Sequence, residues 1–265
     1  MSDVSTAETI LGGGLPALVI GDGPRAVAYL PGLSSQVGLP TGRERAMAIA
    51  GWEPLTDRFS VYRISRLARP IGTSFAQMAE DHAVALEGFD PPVDLMGAST
   101  GGAIAMEVAA ARPDLVRRLV LVNTGASMSP NGARGRDRVF GDIEAGRWRS
   151  AYREIFAIGS ASAWSRTLMG TLAWAIGPRL VPPPDDPTII LTELAAWRTF
   201  DGAAIAASIK APTIVIGTDR DPMFGPTYAT DLAALIPGSQ VVTFPGLAHA
   251  FPPTAIEEHI SPFLG

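Results

Sequence analysis

The chain has no cysteine, a single lysine, three histidines and no apolar run long enough to cross a bilayer. Each shortage removes a class of chemistry. Without cysteine there are no disulfides, no thiolate zinc sites and no cysteine nucleophile. A membrane-spanning helix needs about 18 or more consecutive apolar residues, and no stretch approaches that. The opening Met1-Ser2-Asp3-Val4-Ser5 has no basic segment leading into an apolar one, so no signal peptide is expected and a cytoplasmic location is. Lys210 is the only lysine among 21 basic residues, and the net charge is −5. The groups Arg63/Arg66/Arg69 and Arg134/Arg136/Arg138 therefore read as solvated surface rather than as a nucleic-acid patch. Neither nucleic acid nor membrane is expected as a partner, and no metal or cofactor is called for.

What is present is a buried, globular composition: 265 residues, 47% hydrophobic and only 18% charged. That length suits one large α/β domain with an insertion, or two small domains. Leu15–Ile20 and Ala26–Leu30 are short apolar runs joined by Gly21-Asp22-Gly23-Pro24, which predicts an antiparallel hairpin. A strand follows at Phe59–Ile64. Helical spacing over Phe75–Leu86 places Phe75, Met78, Ala79, His82 and Leu86 on one face. Strands are expected at 93–96, 115–122, 212–217 and 240–244, with helices between them, which argues a mostly parallel, doubly wound sheet. The alternation lapses from about Gly125 to Ala207, a helical stretch broken at Val181-Pro182-Pro183-Pro184. The expected domains are thus a core of 1–124 and 208–265 and a helical insertion of 125–207.

Gly97-Ala98-Ser99-Thr100-Gly101 joins a strand to a helix and fits Gly-x-Ser-x-Gly, a sharp turn that presents a serine hydroxyl. Its plain alternative is a serine that merely caps the helix. Serine needs an adjacent base, usually a histidine oriented by a carboxylate. His82 lies on an apolar helix face and His259 beside Glu257 and Glu258. His249 follows a strand at its carboxyl end, where Ser99 also emerges and where ligands bind in open α/β sheets. The preceding strand ends in Gly217-Thr218-Asp219-Arg220-Asp221-Pro222 and offers two acids. Asp221 is favoured because the loop has turned further and the proline fixes its path, with Asp219 as the alternative. Two backbone amides would receive the oxyanion: that of Thr100 and, because proline has no N–H, that of Leu33 in Pro31-Gly32-Leu33.

The elbow, the order Ser99…Asp221…His249, the Pro31-Gly32 loop and the helical insertion together resemble the α/β-hydrolase fold superfamily. The resemblance spans essentially the whole chain and is specific for the fold rather than for a substrate. Relatives carry His-Gly where this chain has Pro31-Gly32. They also show Asp-x-Arg-Gly-x-Gly after the next strand, where this chain has Arg63-Ile64-Ser65-Arg66-Leu67-Ala68-Arg69-Pro70. The resemblance implies that the insertion is a cap, with Trp148, Phe156, Trp164, Met169, Trp174 and Trp197 lining an apolar substrate pocket. It implies a serine hydrolase that cleaves an ester, thioester or lactone of a small apolar substrate through an acyl-enzyme. The same triad also supports carbon–carbon bond hydrolysis, lyase chemistry, acyl transfer and perhydrolysis. A non-catalytic small-molecule sensor on this fold is the alternative from another class. A serine at the elbow argues against the aspartate-dependent dehalogenases and epoxide hydrolases of the family.

Overall fold

A computed structural model of the chain describes residues 4–34, 37–252 and 254–265. They form one eight-stranded sheet in the order β1-β2-β4-β3-β5-β6-β7-β8. The strands are β1 (Thr6–Ile10), β2 (Pro16–Ile20), β3 (Arg25–Leu30), β4 (Phe59–Ile64), β5 (Val93–Ala98), β6 (Val116–Val122), β7 (Thr213–Thr218) and β8 (Gln240–Phe244). β2 runs antiparallel to both β1 and β4, and every pairing from β4 through β8 is parallel.

The hairpin expected at 15–30 does not form. β2 and β3 are separated by β4, with Val27 opposite Val61 on one side of β4 and Ile20 opposite Val61 on the other. The glycines between them serve a crossing rather than a tight turn. A Cβ on Gly23 would lie 2.2 Å from the Phe59 nitrogen, so the connection passes directly against the start of β4. β3 carries Val27, Ala28 and Leu30, all fully buried, which suits an interior strand. β1 is exposed along most of its length, and its polar Thr-Ala-Glu-Thr-Ile gives little apolar signal.

Side-chain alternation divides the core into two layers. On β6, Leu119 and Leu121 face the helices α2 (Phe75–Leu86) and α3 (Thr100–Ala111), while Val120 and Val122 face the opposite side. The second layer is closed by Trp52 at the end of α1 (Gly42–Trp52) and by Ile256, Ile260 and Leu264 near the C-terminus. There a π-helical turn, Ile256–Ile260, leads into α10 (Ser261–Leu264).

Between β6 and β7 come α4 (Pro130–Glu144), α5 (Trp148–Ala157), α6 (Ala163–Leu180), α7 (Thr188–Ala196) and α8 (Gly202–Ala206). α9 (Tyr228–Leu235) then joins β7 to β8. Val139, Ile143, Ala151, Ile190, Leu191 and Leu194 of α4, α5 and α7 make a separate apolar cluster, and Leu33 packs against it. No helix of the described residues is long and apolar enough to cross a membrane.

Candidate active site

Because β3 and β5 to β8 run parallel, the loops that leave their carboxyl ends meet along one edge of the sheet. Ser99 leaves β5 there with φ +49° and ψ −116°, a left-handed backbone that a non-glycine residue rarely adopts. The turn is tight enough that a Cβ on Gly101 would fall 2.1 Å from the Leu30 carbonyl oxygen. The Ser99 carbonyl accepts the Gly102 and Ala103 amides at 2.9 and 3.2 Å and so begins α3, whereas its hydroxyl makes no capping bond to the helix. Instead Ser99 Oγ lies 3.0 Å from His249 Nε2. The plain helix-cap alternative therefore fails for this side chain.

His249 sits in the loop after β8, with its Nδ1 2.7 Å from Asp221 Oδ2. The other carboxylate oxygen of Asp221 accepts the Met223 and Phe224 amides at 2.7 and 3.1 Å, and the side chain is fully buried. Those amides fix the carboxylate, which in turn fixes the imidazole. Asp219 does something different: its Oδ1 accepts the Gly246 amide at 2.6 Å and so braces the turn that leads to His249. The Thr218 hydroxyl donates to the Ala248 carbonyl at 2.9 Å and the Asn123 amide nitrogen donates to the Ala250 carbonyl at 2.7 Å. The His249 loop is thus held from β6, β7 and the Asp219 turn. Tyr228 donates to Asn123 Oδ1 at 3.0 Å, and burial followed by the nearby Asp221 charge holds its phenol well above the usual value. It stays a neutral donor.

The Pro31–Ser34 loop passes the elbow so closely that a Cβ on Gly32 would lie 3.6 Å from the Ser99 Cβ. Among the described residues, the Leu33 and Thr100 amides donate to no protein acceptor. The loop is held by a residue expected on the surface. Arg66 is buried, and its guanidinium donates to the Gly32 carbonyl at 2.8 Å, the Ser34 hydroxyl at 2.7 Å and the Pro31 carbonyl. It also pairs with Glu193 of α7 at 3.0 Å, whose second oxygen accepts the Ser34 amide at 3.0 Å. Burial outweighs Arg66 and holds the Glu193 carboxyl above the usual carboxylate range. The solvated-surface expectation is corrected for Arg66, and for Arg136, which is also buried. Arg63 departs from it too, its side chain only 13% exposed and paired with Glu44, whereas Arg69, paired with Asp81, keeps to it.

The six aromatic and methionine residues expected around a pocket are not gathered at Ser99. Trp197 is buried below the elbow, where its indole N–H donates to the Thr100 hydroxyl at 3.2 Å. It packs edge-on to Phe75 and Phe200 and tilted to Phe224, which itself lies against the His249 ring. Trp197 therefore supports the site from beneath. Phe156, Trp164, Met169 and Trp174 are exposed, with Trp164 at 74%. Trp148 packs against the α4–α5–α7 cluster and shares a separate surface cleft with Trp174. α5 and α6 turn these side chains outward because their inner faces are taken by small residues such as Ala151, Gly170, Ala173 and Gly177.

Sequence reasoning missed Arg66, Glu193 and Asn123. A usable signal existed for Glu193: α7 reads Thr-Ile-Ile-Leu-Thr-Glu-Leu-Ala-Ala, apolar nearly all round. Such a helix is buried, and a carboxylate inside it requires a partner.

The α/β-hydrolase fold profile matches residues 64–254. A polyketide synthase, ThaQ of Burkholderia thailandensis, is 31% identical over 264 residues; the match covers 92% of this chain, which spans only 12% of that protein's length. RutD of Klebsiella pneumoniae, provisionally named a carbamate hydrolase, is 29% identical over 185 residues, 68% of each chain. Among solved structures, the enol-lactonase of Burkholderia xenovorans superposes with a TM-score of 0.70 at 17% identity, covering 97% of each chain. At that identity the likeness is one of fold.

Proposed function

Because the chain belongs to the α/β-hydrolase fold family, we propose that it is a serine hydrolase of carboxylic esters, thioesters or lactones that works through an acyl-enzyme. The observation that carries this reading is the continuous relay from Ser99 Oγ to His249 Nε2 at 3.0 Å and from His249 Nδ1 to Asp221 at 2.7 Å. Ser99 attacks the carbonyl carbon while His249 takes the hydroxyl proton on Nε2. Asp221 holds the tautomer with Nδ1 protonated and stabilises the imidazolium that forms. The Leu33 and Thr100 amides, which donate to no acceptor among the described residues, receive the negative charge that develops on the carbonyl oxygen. The imidazolium then protonates the leaving group. A water molecule deprotonated by His249 attacks the acyl carbon, and collapse of the second tetrahedral intermediate returns Ser99. The name of the RutD relative extends the plausible bond class to carbamates, whose carbonyl undergoes the same addition.

Residues 125–207 are read here as a cap on a core of 1–124 and 208–265. The packing of Leu33 against the α4–α5–α7 cluster and the Glu193 bond to the Ser34 amide support that reading. A small-molecule substrate would enter between the cap and the elbow. The test is covalent labelling. A fluorophosphonate should label the wild type and not Ser99→Ala, and p-nitrophenyl esters should be turned over only by the wild type. Equal labelling of the two proteins, or none of either, rejects the assignment.

A further inference from the structure

A second feature lies outside the relay. A cleft of about 590 Å³ opens between α4, α5, the start of α6 and the β7–α9 loop, with Arg134, Arg138, Arg153, Arg166 and Arg220 in its wall. Only three carboxylates share that wall, Glu154, Asp219 and Asp221. Five guanidiniums less three carboxylates leave two surplus positive charges on a chain whose net charge is −5. Moreover, the three carboxylates are already engaged. Glu154 pairs with Arg138 at 2.8 Å, Asp219 accepts the Gly246 amide, and Asp221 is shared between His249 and two backbone amides.

Among the described residues, the side chains of Arg153, Arg166 and Arg220 have no partner at all, and Arg134 reaches only the Asn131 side chain. Four guanidiniums from four different elements thus line one cleft without an ion-pair partner, against the two carboxylates Asp219 and Asp221 that are held by other groups. Concentrating like charges in a cleft costs free energy that a bound anion returns, and the cleft walls focus the field on its centre. Planar guanidinium forks match phosphate and carboxylate oxygens in pairs, and the volume is that of a small-molecule site.

We propose that this cleft binds a small molecule through a doubly charged oxyanion, a phosphate or a dicarboxylate, held by Arg134, Arg153, Arg166 and Arg220. The site adjoins the relay. Asp221 is part of its wall, and Ile158, another wall residue, accepts the His249 amide at 3.1 Å. Binding there does not depend on hydrolysis, so it stands or falls separately from the role of Ser99.

The probes are inorganic phosphate and malonate, titrated calorimetrically and by thermal shift above about pH 7.5 at an ionic strength held constant with sodium chloride. At least one probe should bind and raise the melting temperature with concentration, in the wild type and in Ser99→Ala alike. Stronger binding of phosphate assigns a phosphate, and stronger binding of malonate a dicarboxylate. Arg153→Gln/Arg166→Gln should weaken binding tenfold or more, whereas Arg43→Gln/Arg179→Gln, the same charge change away from the cleft, should stay within twofold of wild type. If the first double variant does not fold in probe-free buffer, Arg220→Gln on the opposite wall carries the same comparison. No binding of either probe at millimolar concentration, or equal losses in both double variants, overturns the proposal.

Discussion

Replacing Glu193 by Gln tests whether the buried Arg66–Glu193 pair holds the proposed oxyanion loop or merely sits near it. The two side chains are 2% and 1% exposed, so the pair is shielded from solvent. Removing the charge of one partner leaves Arg66 buried and uncompensated, a change that costs about 3–5 kcal/mol in comparable pairs. Gln keeps the shape and can still accept the Ser34 amide, so the lower end applies, a loss of roughly 3 kcal/mol or about 6–12 °C in Tm. The catalytic consequence is separate. Arg66 bonds the Pro31 and Gly32 carbonyls, which immediately precede the Leu33 amide. Complete removal of one oxyanion donor costs roughly a hundredfold to a thousandfold in kcat. A displaced donor should cost kcat about ten- to a hundredfold, with KM nearly unchanged because the interaction is made in the transition state. The assays are urea unfolding and steady-state hydrolysis of a p-nitrophenyl ester. Arg66→Met/Glu193→Leu supplies the decisive contrast. It removes both charges and should recover most of the stability, yet it leaves both loop carbonyls without their donor, so kcat should stay low. Wild-type kcat in Glu193→Gln, or full recovery of kcat in the double variant, refutes the reasoning.

Asp221→Asn should lower kcat by about four orders of magnitude through loss of the correct imidazole tautomer, while Asp219→Asn should lose less than about tenfold and about 1 kcal/mol of stability by loosening the Gly246 turn; parallel kinetics and unfolding curves check both. Ser99→Gly and Ser99→Ala both lack the hydroxyl, so their difference isolates the backbone. With φ at +49°, the glycine variant should be more stable by about 1 kcal/mol, and equal stability would show that the elbow is unstrained. His82 is buried with Nδ1 2.8 Å from the Met78 carbonyl and, among the described residues, no partner for Nε2. Desolvation, reinforced by the Arg66 charge, lowers its pKa from 6.5 to about 4 despite that carbonyl. The unfolded chain therefore takes up a proton that the folded chain refuses. Its contribution is complete above pH 6.5 and is lost as the pH falls towards 4, a total of about 3 kcal/mol at 1.36 kcal/mol per unit. In His82→Leu the pH dependence of unfolding over that window should flatten by one proton.

What could be read from the sequence was what local pattern controls. β4 at Phe59–Ile64, α2 at Phe75–Leu86 and β8 at Gln240–Phe244 fall where short apolar runs and helical spacing place them. The relay could be read because sheet topology does most of the work. Once the strands are parallel, residues just past their carboxyl ends share an edge, and only His249 of three histidines occupies such a position. Sequence order failed where strand order departs from it. Nothing in Leu15–Leu30 says that β4, some thirty residues later, will insert between β2 and β3. It failed again on the aromatic residues of α5 and α6, because composition shows that a helix is apolar without showing which face the rest of the chain covers.

The error over Arg66 has the same origin and a larger consequence. Arg63, Arg66 and Arg69 look alike in sequence, three cations at regular spacing, and only a partner distinguishes them. For Arg63 and Arg69 the partners are exposed or nearby; for Arg66 it is Glu193, 127 positions away on a helix of the insertion. That distance ties two parts of the chain together. Leu33, whose amide is the proposed oxyanion donor, adds its side chain to the apolar cluster of α4, α5 and α7, while Glu193 of α7 holds the Ser34 amide one residue on. Movement of α7 would thus disturb the Pro31–Ser34 loop, since both the charge pair and the Leu33 packing would change together. Under the proposed function, the position of α7 would therefore help set whether the second proposed oxyanion donor is in place.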